Sequence, residues 1–307
     1  MKKTCPPINF SVFSQFHNHN QTTMSSKISR TPTNNTSKYT PSSSRKRGAA
    51  SNDLTEYIDS PVELAAKVKV LAGLVRSAAH GVAFTGAGIS HSSGIPTYRG
   101  PDGVWTRMDK GLSAPQGVNL EDAVPTQGHM AIVELLNKGY LKHLVSTNVD
   151  GLHRRSGVTQ DQLSELHGNI YKEVCTLCEK EHHRRFRVNG RRAHLTGRKC
   201  DACKGPLKDN IIHFTEDLPK AEVEKADDHS ALMDLALVMG TSMKVTPSCD
   251  MPLEVLGKKT GRLVIVNLQR TRYDKHAFLR IFGESDQVLA MLMLELGLTI
   301  PEFTEIL

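Results

Sequence analysis

Acidic side chains are missing from the start of the chain: none precedes Asp53, whereas Lys2, Lys3, Lys27, Arg30, Lys38, Arg45, Lys46 and Arg47 all do. The 307 residues hold 39 lysines and arginines and 32 aspartates and glutamates, so residues 53–307 carry 31 basic against 32 acidic groups. A near-neutral body behind a basic tail excludes a uniformly basic nucleic-acid-binding domain. Long apolar runs are also missing. The longest, Val288 to Leu294, has seven residues and stops at Glu295, well short of the ~18 that a spanning helix requires, which predicts a soluble protein with no membrane partner. Cysteine is scarce. Six in a chain of this size exclude a disulfide scaffold, and four of the six fall in two C-x-x-C pairs, a usage that favours a reducing compartment and a metal.

Residues 1–52 lack any helical or alternating apolar period and are rich in Ser, Thr, Asn and Gln, as in Thr31 to Ser37 and Ser42 to Ser44. They cannot bury enough apolar surface to offset the entropy of ordering, and a disordered basic tail is the expectation. Three uses compete for it. It is a solvated tail with no address, or Arg45-Lys46-Arg47 is a nuclear signal or nucleic-acid contact, or the segment is a mitochondrial transit peptide whose helix would suffer from Pro6 and Pro7. Nuclear placement is the first expectation, with mitochondrial or cytoplasmic placement as alternatives.

The body alternates helical and extended patterns. Ser60-Pro61 followed by Leu64, Ala65, Val68, Leu71, Leu74, Val75 and Ala78 reads as a capped helix that ends at His80-Gly81. Val82-Ala83-Phe84 then leads as a short buried strand into Thr85-Gly86-Ala87-Gly88-Ile89-Ser90. The same layout recurs at Leu144 to Ser146 into Thr147-Asn148, at Leu235 to Met239 into Gly240-Thr241-Ser242, and at Leu263 to Val266 into Asn267. Helical segments such as His129 to Lys138 and Val288 to Leu296 lie between them. Strands alternating with helices imply an α/β fold with a doubly wound parallel sheet, in which ligands bind beyond the C-terminal strand ends. Any one such end is an ordinary turn; four of them make a site.

Cys175-x-x-Cys178 and Cys200-x-x-Cys203 are separated by 21 residues, close to the spacing of a zinc ribbon. Four thiolates around one tetrahedral ion leave no position for water, so the zinc is structural. His182, His183 and His194 between the pairs read as solvated histidines, and Cys5 and Cys249 need no function. The ribbon interrupts the strand-and-helix pattern as an insertion. The expected organisation is a tail at 1–52, a Rossmann-like domain at 53–167 and 213–302, a small zinc domain at 168–212 and a short C-terminal end at 303–307, with a cleft between the two domains.

Thr85 to Ser90 after a strand suggests a phosphate cradle, with Gly86 and Gly88 letting the backbone approach a pyrophosphate. The third glycine of the usual dinucleotide pattern is absent, since His91 stands there, and no matching Asp follows about twenty residues on. The next residues, Gly94 to Gly100 and Gly103-Val104-Trp105, form a loop with Tyr98, Arg99 and the chain's only tryptophan. Such a loop can cover a nucleotide, although a lone tryptophan is more often a core residue.

Together these residues resemble the sirtuin family over about 55–302. The motifs are Gly86 to Ser90, Gly94-Ile95-Pro96 with Arg99, Asn148-Val149-Asp150-Gly151-Leu152-His153, His167-Gly168, the two C-x-x-C pairs, Gly240-Thr241-Ser242 and Val266-Asn267, in that order. Leu263 to Gln269 and the short Pro101 to Trp105 loop resemble the branch of sirtuin-6 and sirtuin-7, whose members are largely nuclear and chromatin-associated. The resemblance implies an NAD-dependent protein-lysine deacylase (deacetylase): the acyl-lysine oxygen attacks the nicotinamide ribose, nicotinamide leaves, and the acyl group passes to ADP-ribose, so that NAD is consumed. It implies that His167 is the general base, for which an imidazole with a reference pKa of about 6.5 is suited. It also implies that Asn148 and Asp150 hold the carboxamide and stabilise developing positive charge. By the same resemblance Gly86, Ala87, Gly88, Tyr98, Arg99, Trp105 and Thr147 line the nucleotide and nicotinamide side, and Gly240, Thr241, Ser242, Asn267 and Gln269 contact adenosine and ribose. Asp209 to Pro219 corresponds to the segment that pairs with an acyl-lysine peptide, with Phe214 near the acyl channel; a core strand is the alternative for Ile211 and Ile212. Three positions depart from the family pattern: Thr147 replaces Gln, Thr97 replaces Asp, and His91 replaces Thr. The implied partners are acyl-lysine proteins, possible histones among them, and chromatin or nucleic acid through the tail. Mono-ADP-ribosyl transfer to protein and a non-catalytic NAD-sensing role in chromatin binding are the alternative functions.

Overall fold

In the computed structural model, which describes residues 54–305, Ser60 caps helix α1 (Pro61–Ser77) by accepting the Glu63 N–H at 3.3 Å. Pro61 at the first helical position forfeits only an N–H that has no helical acceptor. Leu64, Val68, Leu71 and Val75 recur every three or four residues and form the buried stripe. The expectations for the tail and for Cys5 fall outside the described residues.

Six strands, numbered in chain order, build the main sheet: β1 (Gly81–Thr85), β2 (His143–Ser146), β3 (Leu163–Glu165), β8 (Leu235–Met239), β9 (Arg262–Val266) and β10 (Leu279–Ile281). Their spatial order is β10-β9-β8-β1-β2-β3, and every pairing is parallel. The four expected strands are its centre. Alternate residues serve opposite faces. Ala83, Leu144, Leu237 and Val264 meet α1, α2 (Gln127–Asn137) and α4 (Ser285–Leu296) on one side. Val82, Phe84, Val145, Val238 and Ile265 pack on the other, where Ala226 of α3 (Lys220–Leu232) and the Met251–Gly257 turn cover them. Burial on both faces explains why these strands read as unbroken apolar runs. Each fully buried Leu, Ile or Val contributes roughly 1.5–3 kcal/mol relative to exposure.

The chain leaves β1 for β2 and β3 on one side and returns on the other side as β8. This reversal puts a topological switch point between the ends of β1 and β8, where open α/β sheets bind ligands.

A second sheet lies between β3 and α3 in sequence. It consists of β4 (Lys172–Cys175), β5 (Glu181–His183), β6 (Leu195–Lys199) and β7 (Pro206–Asp209), in the order β5-β4-β7-β6 and antiparallel throughout. Its own buried cluster is only Cys175, Cys200 and Leu207. A core that small does not hold four strands by apolar burial alone. Among the described residues no helix is long and apolar enough to cross a membrane.

Candidate functional site

The loops after β1 and β8 interlock at the switch point. A Cβ on Gly86 would lie 2.7 Å from Thr241 Cβ, and one on Gly88 would lie 2.7 Å from Gly240 Cα. The Gly88 N–H donates to the Gly240 carbonyl at 2.8 Å. Gly240 itself has φ +60, in the left-handed region that glycine enters without steric cost. The glycines that read as a phosphate cradle therefore serve the fold first, by letting two strand ends touch. Ala87 begins the 3-10 turn Ala87–Ser93 beside them, and Thr241 Oγ1 accepts the Met243 N–H at 3.2 Å, which shapes the loop through Ser242.

The end of β2 is tied to the same loop through buried polar groups. Asn148 Nδ2 donates to the Gly86 carbonyl at 3.0 Å and approaches Ser90 Oγ at 3.4 Å. Ser90 Oγ donates to Asp150 Oδ2 at 2.7 Å, and Asp150 Oδ1 accepts the Leu152 N–H at 2.9 Å. Burial pushes the Asp150 carboxyl upward, and the bonds from Leu152 and Ser90 hold it back. Asn148 and Asp150 are thus brought together, with Ser90 as the link between them. That role is hidden in the sequence because Ser90 stands there only as the last residue of a glycine loop.

His167 follows β3, and its Nδ1 lies 3.1 Å from the Thr147 carbonyl oxygen. A carbonyl only accepts, so Nδ1 carries the proton and Nε2 keeps its lone pair. Burial lowers the imidazole pKa and the bond to Thr147 opposes that shift; the ring is therefore neutral at neutral pH. Gly168 has φ +83, and a Cβ there would fall 1.9 Å from the Asn210 carbonyl oxygen. The His167 carbonyl accepts the Ile212 N–H at 3.1 Å, which joins the histidine loop to the 209–219 segment. Thr147 turns its hydroxyl to the Thr85 carbonyl at 3.2 Å.

Tyr98 stacks on Trp105 with ring centroids 6.2 Å apart, and Trp105 meets the exposed Phe214 at 6.3 Å. Burial pushes the Tyr98 hydroxyl up to about 12, so it stays protonated. Trp105 is half-buried against these two rings rather than set in either main core. Burial also lowers the Arg99 guanidinium, and Lys244 is lowered by burial and then by the charge of Arg99. Two cations thus feel each other beside the loop after β8. Thr97 gives its carbonyl to the Val104 N–H at 2.9 Å, and His91 is exposed.

After β9, Asn267 Nδ2 donates to the Gln269 carbonyl at 2.9 Å, whereas the buried Gln269 Nε2 has no hydrogen-bond partner. Arg280 on β10 braces this corner by donating to the carbonyls of Asn267 at 2.9 Å and Gln269 at 2.6 Å. Its only trace in the sequence is a lone arginine beside apolar neighbours. Ile211 is buried but belongs to no strand, and Ile212 is half-buried, so the core-strand alternative for this pair fails.

The four cysteines of the second sheet converge. Their sulfurs lie within 4.8 Å of one another, with Sγ–Sγ separations of 3.3 Å for Cys175–Cys203, 3.7 Å for Cys178–Cys200 and 3.3 Å for Cys203–Cys178. The two C-x-x-C turns are alike. Cys175 and Cys200 each donate to the carbonyl five residues on and accept from the N–H four residues on, and Glu179 and Lys204 occupy matching left-handed positions at φ 57 and φ 63. Backbone N–H groups of Cys178 and Leu177 pull the Cys175 thiol down to about 6. Cys178, although the Lys180 N–H favours its thiolate, is pushed up to about 12 by its thiol neighbours Cys203 and Cys175. Such a set ionises together only around a cation, and it fits tetrahedral zinc. Two of the three histidines expected to be solvated are not. His182 is buried near Cys200 and Asp201, and His194 is held between two carboxylates; only His183 is exposed.

A model of the Sir2 family matches residues 113–247. The chain is 46% identical over 254 residues to the NAD-dependent protein deacetylase SRT1 of Oryza sativa subsp. indica, with 81% of this chain and 52% of that protein covered. It therefore spans about half of that relative's length. It is 42% identical over 264 residues to the NAD-dependent protein deacetylase Sirt6 of Drosophila melanogaster, with 81% of each chain covered. Among solved structures, a Sir2 complex with a p53 peptide and NAD+ superposes with a TM-score of 0.58 at 29% identity, over 75% of this chain and 98% of that one. The chain belongs to the Sir2 family.

Proposed function

We propose that the protein is an NAD-dependent protein-lysine deacylase. The observation that carries this is His167, a neutral imidazole whose Nδ1 is committed to the carbonyl of Thr147, the residue before Asn148, and whose Nε2 is left basic. The site fits NAD in two ways: the buried Gln269 Nε2 lacks a partner, and Arg99 and Lys244 offer positive charge to a pyrophosphate. When bound, NAD supplies nicotinamide as leaving group and ADP-ribose as acyl acceptor. With NAD in place, His167 Nε2 would be the base that accepts the proton of a ribose hydroxyl. Asn148, fixed by Gly86 and Ser90, would orient the carboxamide, and the Asp150 carboxylate would stabilise developing positive charge. Gly86, Ala87 and Gly88 with Tyr98 and Trp105 would wall the nucleotide, while Gly240, Thr241, Ser242, Asn267 and Gln269 would hold its adenosine half.

The 209–219 segment receives an acyl-lysine peptide as an added strand. Its backbone between Ile211 and His213 belongs to no strand, and Phe214 stands exposed beside Trp105. Cys175, Cys178, Cys200 and Cys203 hold one structural zinc in a domain at 168–212, set into an NAD domain at 53–167 and 213–302. Histone lysines are the proposed substrates and the nucleus the proposed location; removing residues 1–52 is expected to lower the salt dependence of DNA binding. Mass spectrometry with NAD and acyl-lysine peptides tests the activity. One nicotinamide and one O-acyl-ADP-ribose per deacylated lysine supports it, and ADP-ribosylated protein without deacylated peptide contradicts it.

A further inference from the structure

His194 occupies a turn in which it and Ala193 both have left-handed backbones, φ 61 and φ 56. That conformation is uncommon for residues with a side chain and persists where surrounding contacts hold it. The contacts here are ionic. His194 Nδ1 lies 2.8 Å from Asp209 Oδ1 at the end of β7, and Nε2 lies 2.8 Å from Glu216 Oε1. The other oxygen of Glu216 accepts the His213 N–H at 2.7 Å, and the His213 ring stacks on His194 at 4.7 Å. Asp209 Oδ1 also accepts the Ile211 N–H at 3.1 Å. Gly190 leaves room for the carboxylate, since a Cβ there would fall 1.6 Å from Asp209 Oδ2.

A neutral imidazole donates from one nitrogen only, and a carboxylate only accepts. Both ring nitrogens meet carboxylate oxygens, so the arrangement is that of an imidazolium between two anions. We propose that His194 is a positioning residue, a charge-dependent clasp that fastens the 213–216 turn to the zinc-bearing sheet and so shapes the surface that receives the acyl-lysine peptide. This rests on the reading of 209–219 as the peptide-pairing segment. The titratable groups facing His194 are Asp209 from β7 and Glu216 and His213 from the turn. Burial works against the charge, but the bonds to Asp209 and Glu216 outweigh it, and the His194 pKa is raised above its ordinary 6.5. The clasp is therefore closed below that ordinary value and opens as the pH rises through the raised one. Loss of the proton leaves one carboxylate facing a lone pair, and the turn loosens.

The test compares the full chain with His194→Gln and Glu216→Ala, both checked for zinc content and native circular dichroism. Hydrogen exchange of 209–219 and steady-state kinetics are followed from pH 6 to 9. In the unmutated protein, the protection of 213–216, corrected for the intrinsic pH dependence of amide exchange, is expected to fall with rising pH while the KM for an acetyl-lysine peptide rises. Each variant should show the high-pH behaviour at every pH, with KM raised about 3–10-fold and kcat and the KM for NAD within about twofold. Corrected protection at 213–216 that ignores both pH and the substitutions overturns the clasp. If exchange responds but the peptide KM does not, the clasp exists and the proposal falls through its premise, because the segment does not receive the peptide.

Discussion

Ser90 carries a larger share of the site than its place in a glycine loop suggests, because its hydroxyl joins Asn148 to Asp150. Ser90→Ala removes a donor from a buried carboxylate, and such losses cost about 1–3 kcal/mol. The expected result is a lower urea midpoint together with a fall in kcat/KM, measured on the same preparation; unchanged stability and activity would show that the link is idle. His167, Asn148 and Asp150 stand out in the sequence through motifs that resemble those of the sirtuin family. Ser90 and Arg280 are not legible as links. Their partners lie 60 residues away at Asp150 and 11 to 13 residues away at Gln269 and Asn267, and only the fold makes them neighbours. His194 escapes a sequence reading for the same reason, since neither carboxylate that holds it is close in sequence.

At the scale of elements, the loops after β1 and β8 depend on the absence of side chains. Gly88→Ala places a methyl group 2.7 Å from the Gly240 backbone, where nothing flexible can yield. A stability loss of about 1–3 kcal/mol is expected from such overpacking, together with weaker NAD binding in calorimetry; a variant as stable as the parent would mean that the loops do not interlock. The four central strands are legible because burial on both faces makes them continuous apolar runs. β3 and β10 have three residues each, too few to show a period, and the antiparallel strands around the cysteines are hidden by charged residues. The zinc knuckles stand out by spacing alone. Their sheet has almost no apolar core of its own, so chelation should unfold it locally. Hydrogen exchange after treatment with a strong chelator should rise across residues 172–209, and protection that survives zinc loss would contradict a structural ion.

At the scale of the whole molecule, His129, His143 and His153 are buried imidazoles among the described residues. Burial drops His153 to about 3, burial and then the nearby His229 drop His143 to about 3, and burial and then His153 drive His129 well below its ordinary value. The unfolded chain binds protons at these residues near pH 6.5 while the folded chain refuses them. Stability is therefore complete above pH 6.5 and is lost as the pH falls toward about 3, by up to about 1.4 kcal/mol per pH unit for each histidine. Urea unfolding at pH 7.5 and 5.5 should show this loss, and equal midpoints would exclude neutral buried rings. The same fold that seals these three leaves His167 half-buried at the site, with one nitrogen committed and one available. The most direct measurement is therefore acyl transfer by His167→Ala beside the unmutated protein, with NAD affinity determined in parallel. Loss of a general base should cut O-acyl-ADP-ribose formation by about 100- to 10,000-fold while NAD still binds. Transfer at an undiminished rate by the variant would contradict the assignment of His167 and with it the mechanism built on that residue.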